Sequence, residues 1–122
     1  WSFPTNFQPQ TFISILIPAR NEESNIASCL QSILNQTYPQ HLFEIIVIND
    51  HSTDSTADII MALKIVHPNI KLLHLADFVN GVPLNAYKKK ALEIGVAHAQ
   101  GELIVTTDAD CITPPNWLLL LA

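Results

Sequence analysis

Four short apolar runs, each separated from the next by a stretch of helical period, constrain this chain more than any other feature. Phe12 to Ile17, Phe43 to Ile48, Ile70 to Leu75 and Leu103 to Thr107 are rich in aliphatic and β-branched residues and have the length of strands. Pro18 stops the first run. A helix from about Ser24 to Asn35 follows, with Ile26, Leu30, Ile33 and Leu34 on one face and Cys29 beside them as a small buried hydrophobe. Thr37-Tyr38-Pro39 breaks it. The second helix can be capped by Asp54 or Ser55, carries Ile59, Leu63 and Val66 at i, i+4 and i+7, and ends at His67-Pro68-Asn69. The third, roughly Ala86 to Ala99, has Leu92, Val96 and Ala99 on its inner side and is closed by Gly101. This βαβαβαβ order predicts an α/β fold: a mostly parallel, Rossmann-like sheet with helices on both faces. The runs are continuous rather than alternating, as strands covered on both faces should be.

In such sheets ligands bind beyond the carboxyl ends of the strands. The first run is followed by Pro18-Ala19-Arg20-Asn21-Glu22-Glu23, the second by Asn49-Asp50-His51-Ser52-Thr53-Asp54, and the fourth by Asp108-Ala109-Asp110. Polar, largely acidic groups from three segments therefore meet at one rim. Strand residues i and i+2 face the same way, so Asp108 and Asp110 can point at one object. At about 6 Å and an effective dielectric of ~20, two such charges repel by roughly 3 kcal/mol. A hard divalent cation with oxygen ligands turns that cost into binding and recruits phosphate oxygens.

Each of these features has a plain alternative. An isolated Asp-x-Asp is commonly a solvated acidic turn. Asn21, Glu22 and Ser24 suit the start of a helix. Asp54 reads as an N-cap and His51 as a turn residue without chemistry. Lys88, Lys89 and Lys90 hold three of the six basic residues. They spread around a helix, so one of them can face the rim. The glycine-rich phosphate loops of dinucleotide and NTP folds are absent.

Composition narrows the field. The 122 residues are one domain's worth. With 48% apolar and 14% charged residues the chain is not disordered in character. A net charge of −5 argues against nucleic acid as a partner. No apolar run reaches the ~18 residues of a membrane span, and no signal peptide is visible. The two cysteines make no disulfide framework. Cys111 lacks a His or Cys at ligand spacing, which argues against zinc.

Together these segments resemble the family 2 glycosyltransferases. Ile15-Leu16-Ile17-Pro18-Ala19-Arg20-Asn21-Glu22 looks like their opening strand and loop. Glu44 through Asp50-His51-Ser52-Thr53-Asp54-Ser55-Thr56 resembles their second strand and nucleotide-contacting loop. Lys88-Lys89-Lys90-Ala91-Leu92 with Gly95, then Gly101-Glu102 to Asp108-Ala109-Asp110, resembles the approach to their Asp-x-Asp motif. The segments stand in the family's order and cover nearly the whole chain. Asn49 and His51 depart from the Asp and Gly that often flank the second-loop aspartate.

The resemblance implies the nucleotide-binding half of a GT-A fold over residues 12–122, after an N-terminal extension over 1–11. It implies an inverting transfer of sugar, aided by Mn²⁺ or Mg²⁺, from a UDP- or GDP-type donor to a carbohydrate or lipid-linked acceptor, as in polysaccharide biosynthesis. By position, Asp50 would contact the base, and Pro18, Arg20 and Glu22 would frame the nucleotide. Lys88 would face the phosphates, Asp108 and Ala109 would lie by the ribose and metal shell, and Asp110 would be the metal ligand with Asp108 beside it. The catalytic base is expected beyond Ala122. A nucleotidyltransferase is the runner-up, but the loop Ala19-Arg20-Asn21-Glu22-Glu23 lacks the glycines that it would need. A non-enzymatic, receiver-like Mg²⁺ module would carry its acidic pair after the first strand instead.

Trp1 and the apolar Trp117-Leu118-Leu119-Leu120 read as cut ends of a longer protein, the latter as an exposed face prone to self-association. Trp1, Phe3 and Phe7 suit either a chain leaving a bilayer, with the domain on the cytoplasmic face of a membrane, or an ordinary extension packed on the sheet of a cytoplasmic protein.

Overall fold

Alternation along the two central strands decides which helix covers which face. In a computed structural model, which describes residues 10–79 and 87–122, strands β1 (Ile13–Ala19), β2 (Phe43–Asn49), β3 (Ile70–His74) and β4 (Leu103–Thr106) form one parallel sheet in the order β3-β2-β1-β4. The helices are α1 (Ile26–Leu34), α2 (Thr56–Val66), α3 (Tyr87–His98) and α4 (Trp117–Leu121). Odd-numbered Ile13, Ile15, Ile17, Phe43, Ile45 and Val47 pack with Cys29, Leu30 and Ile33 of α1, Ile60 of α2 and Leu118 of α4. Even-numbered Leu16, Ile46 and Ile48 pack instead with Ala91 and Ile94 of α3. The chain steps from β1 outward to β3 and then returns to the other side of β1. Right-handed crossovers therefore put α3 on the face opposite α1 and α2.

Two expected helix faces are rotated in the structure. On α3 the buried residues are Ala91, Ile94 and Gly95, while Val96 is exposed. A β-carbon on Gly95 would stand 3.1 Å from side-chain atoms of Leu16 and Ile48. The helix is thus drawn in by a residue that adds nothing to an apolar count. On α2 the inward positions are Thr56 and Ile60, with Ile59 and Leu63 partly covered, and Val66 is exposed. The start of the third helix at Ala86 and the aromatics Trp1, Phe3 and Phe7 lie outside the described residues.

Pro18 does not end β1. It pairs in register with Ile48, and the strand runs on to Ala19. The Leu16 carbonyl accepts from Thr107 on the β4 side, and the Ala19 carbonyl accepts from Asp50 on the β2 side. Pro18 shares the parity of Leu16, so its missing N–H faces the side from which β4 has already departed.

At the opposite end of the sheet a buried carboxylate joins three strands. Glu44 accepts from the Ser14 hydroxyl at 2.6 Å, the Lys71 ammonium at 2.6 Å and the Gln100 backbone N–H at 2.8 Å. Gly101 donates its N–H to Ser14 Oγ at 2.8 Å. A β-carbon on Gly101 would lie 2.6 Å from both the backbone nitrogen and Oγ of Ser14. Gly101→Ala must therefore displace β1 or this loop. We expect it to lose about 1–3 kcal/mol in urea unfolding, and an unchanged midpoint would show that the loop yields freely.

The C-terminal segment folds back on α1. Gln36 donates to the Pro114 carbonyl at 2.6 Å and accepts from the Leu118 N–H at 3.0 Å. Leu118 is fully buried, with Trp117 and Leu119 packed against the core. The apolar face expected at Trp117–Leu120 is thus largely covered, and Leu120 and Leu121 remain exposed.

Candidate functional site

The strand order reverses between β1 and β4, and the crevice at such a switch point is where an open α/β sheet receives a ligand. Three loops reach it from the carboxyl ends of the strands.

The loops after β1 and β2 are joined by hydrogen bonds into one frame. The N–H of Asn21 donates to Ser52 Oγ, that of Glu22 to Thr56 Oγ1, and that of Glu23 to an Asp54 oxygen. In return Thr53 donates to Asn21 Oδ1 and Ser55 to Glu23 Oε2. Asp54 also accepts from the backbone N–H of Thr56 and caps α2 from within the frame, while Ser55 makes no side-chain cap. The Thr56 hydroxyl is the main reason that the Asp54 carboxyl is held below the usual aspartate range.

The third loop is a turn, not an extension of β4, which ends at Thr106. The Asp108 carbonyl accepts from the Cys111 N–H at 3.1 Å. Ala109 is buried in the core between two exposed carboxylates. The Cys29 thiol, pushed up to about 11 by burial and then by Cys111 and Asp110, donates to the Asp108 carbonyl at 3.6 Å. Asp108 and Asp110 are therefore brought together by a turn pinned to α1 rather than by strand periodicity. One carboxylate oxygen from each and Cys111 Sγ lie within 4.8 Å of one another. Two carboxylates supply hard oxygen donors of the kind that suits Mg²⁺ or Mn²⁺, and a partner cation would relieve their mutual repulsion.

Of the three lysines, Lys88 faces this turn, with Nζ 3.9 Å from Asp108 Oδ1. Both side chains are largely solvated, so the pair contributes little by itself. Lys90 pairs instead with Glu93.

Pro18, Arg20, Glu22, Asp50, Lys88, Asp108, Ala109 and Asp110 all line one open cavity of about 330 Å³. These are the residues singled out from the sequence, and Ala19 is the lining residue that the sequence reading passed over. Sequence reading also gave His51 no contacts. It occupies the left-handed region at φ 55°, its Nδ1 lies 2.8 Å from Asp50 Oδ1, and its ring stacks on Tyr87 at 4.8 Å. An aromatic residue just ahead of the lysine run was the one available signal for this contact.

The sequence model described as Glycosyl transferase family 2 matches residues 14–122. The chain belongs to this family. A dolichyl-phosphate beta-glucosyltransferase of Trichomonas vaginalis is 36% identical over 118 residues, which cover 91% of this chain and 33% of the relative. Among solved structures, the S. aureus TarS fragment 1–349 in complex with UDP-GlcNAc is 25% identical with a TM-score of 0.74, over 90% of this chain and 30% of that one. The mannosyltransferase PcManGT from Pyrobaculum calidifontis, in complex with GDP-Man and Mn²⁺, is 28% identical with a TM-score of 0.76, over 95% and 34%. The parallel sheet with helices on both faces is thus an α/β, GT-A arrangement, as the order of apolar runs and the family resemblance led us to expect. The chain spans about a third of the length of these similar proteins.

Proposed function

We propose that residues 12–122 are the donor-binding half of an inverting, metal-assisted glycosyltransferase that takes its sugar from a nucleoside diphosphate. The observation that carries this reading is the convergence of Asp50, Lys88, Asp108 and Asp110 on one cavity at the switch point of the sheet. Similar structures solved with UDP-GlcNAc and with GDP-Man and Mn²⁺ support it.

In this proposal Asp50 accepts a hydrogen bond from the base, and Pro18, Arg20 and Glu22 frame the nucleoside. Ala109 seats the turn against the ribose, while Asp108 and Asp110 hold Mn²⁺ or Mg²⁺. Such a cation, when bound, neutralises charge gathering on the leaving diphosphate. Lys88 adds a second positive charge on the same side of the cavity, where it can meet phosphate oxygens once a ligand draws it from Asp108.

An inverting displacement also needs a base at the acceptor hydroxyl. We assign that base and the acceptor site to residues outside these 122, since the relatives are about three times as long. The acceptor is carbohydrate or lipid-linked on this reading, the latter supported by a relative named for dolichyl phosphate. A cytoplasmic domain, attached to a membrane through segments outside this chain, fits a lipid-linked acceptor. No described helix is long and apolar enough to cross a bilayer.

Calorimetry with UDP and GDP, with and without Mn²⁺, tests the reading. Binding should require the metal, and Asp50→Ala should weaken it about tenfold through one unpaired ligand donor. Among single alanine substitutions of the lysines, only Lys88→Ala should weaken it. Equal affinity with and without metal would defeat the proposal.

A further inference from the structure

The fold does not fix the base of the donor, since similar solved structures include complexes with UDP-GlcNAc and with GDP-Man. In this chain the contact that distinguishes those bases is already partly committed. Asp50 is the base-side carboxylate on the reading given above, on which this inference rests. Its Oδ1 lies 2.8 Å from His51 Nδ1. An ionised carboxylate only accepts, so the imidazole nitrogen is the donor. The imidazole is itself held from behind. Its plane lies 13° from that of Tyr87 at a centroid distance of 4.8 Å, and Tyr87 packs against the core beneath α3. The left-handed backbone at His51 aims the ring back across its own loop.

We infer that His51, clamped by Tyr87, is a specificity-determining residue that leaves Asp50 only one unengaged oxygen for the base and so selects a uracil-type diphosphate over a guanine-type one. The chemistry follows from the two base edges. Uracil presents one ring N–H between two carbonyls, and one carboxylate oxygen satisfies it. Guanine presents a ring N–H beside an exocyclic amino group, and this pair is met in full only by both oxygens of a carboxylate. With one lone pair of Oδ1 taken by His51, the guanine amino group meets only the remaining lone pair of an oxygen already engaged, and a poorly paired buried donor weakens binding roughly tenfold.

The test measures Mn²⁺-supported binding of UDP and GDP to the full protein and to three variants. His51→Gly suits the backbone angle and frees Oδ1. His51→Phe keeps an aromatic ring on Tyr87 but cannot donate, so it reads the hydrogen bond even if the glycine variant does not fold. Tyr87→Leu keeps the donor but removes its backing. The parent protein should prefer UDP by roughly tenfold or more. That preference should shrink to within about threefold in both His51 variants, mainly through tighter GDP binding, and fall to an intermediate value in Tyr87→Leu. Equal affinity of the parent for UDP and GDP would overturn the inference while leaving the nucleotide site intact, and so would an undiminished preference in His51→Phe. Absence of metal-supported binding by either nucleotide would overturn the site itself, and the inference with it.

Discussion

Asp110→Asn should abolish Mn²⁺-dependent nucleotide binding, by at least roughly 100-fold, because the carboxylate proposed to ligate the metal should matter at least as much as the residues that orient a ligand. The fold should not suffer. Asp110 is exposed, and among the described residues its side chain meets only the adjacent Cys111 thiol, at 3.8 Å. The change should therefore alter stability in metal-free buffer by less than ~0.5 kcal/mol. Removing one of two neighbouring negative charges should, if anything, raise it. Cys111→Ser is the informative control, since it leaves both carboxylates in place and should cost less than about tenfold. The measurement is a Mn²⁺ titration at fixed UDP, read by calorimetry alongside a urea melt. Wild-type affinity in Asp110→Asn would remove the metal from this turn.

The second large effect is expected far from the site, at Glu44. Removing this carboxylate takes the partner from the buried Ser14 hydroxyl and from the Gln100 N–H, and it leaves Lys71 unpaired. Lys71 is half-solvated and Gln100 is exposed, so both can rehydrate, but the fully buried Ser14 hydroxyl cannot do so easily. Glu44→Ala should therefore destabilise the domain by roughly 1–3 kcal/mol. The same network predicts a pH dependence. Burial by itself would raise the Glu44 carboxyl, but the Gln100 N–H, Lys71 and Ser14 outweigh burial and hold it below the ordinary value of 4.5. A lowered native pKa means stability that is complete above 4.5 and lost as the pH falls through the native value. Urea melts at neutral and acid pH should show the wild type losing this increment on acidification, and Glu44→Ala lacking it throughout. Parallel pH profiles for the two proteins would refute the assignment.

What could be read from the sequence divides along a physical line. Strands β1 and β2 are apolar at every buried position but Ser14, Glu44 and Asn49, so their runs were visible without any partner. The rim residues were equally visible, because strand ends in a parallel sheet have a fixed relation to the ligand crevice. The rotated faces of α2 and α3 were not visible. Apolar counting weighs Val66 and Val96 as core, whereas the contacts are made by Ile60 and by the bare backbone at Gly95. The His51–Tyr87 stack spans two segments with no shared pattern, and it depends on a backbone angle that an ordinary reading does not assign to histidine. The burial of Leu118 escaped notice because the chain is returned to the core by Gln36, a polar residue that bonds the Leu118 N–H and the Pro114 carbonyl.

Pro18 gives the cavity a property that no lining side chain supplies. A parallel pair of strands tends to continue as long as both backbones offer partners, and β4 follows β1 only from Ile13 to Leu16. Two residues further on, the nitrogen that should greet β4 carries a ring carbon in place of hydrogen. Zippering stops there, and the fork that results is the mouth of the crevice. Any other amino acid at this position would extend a hydrogen-bond donor into the fork, and the retreating strand and an incoming ligand would then compete for it. The opening is held apart by an atom that is missing, so it is present before any ligand arrives.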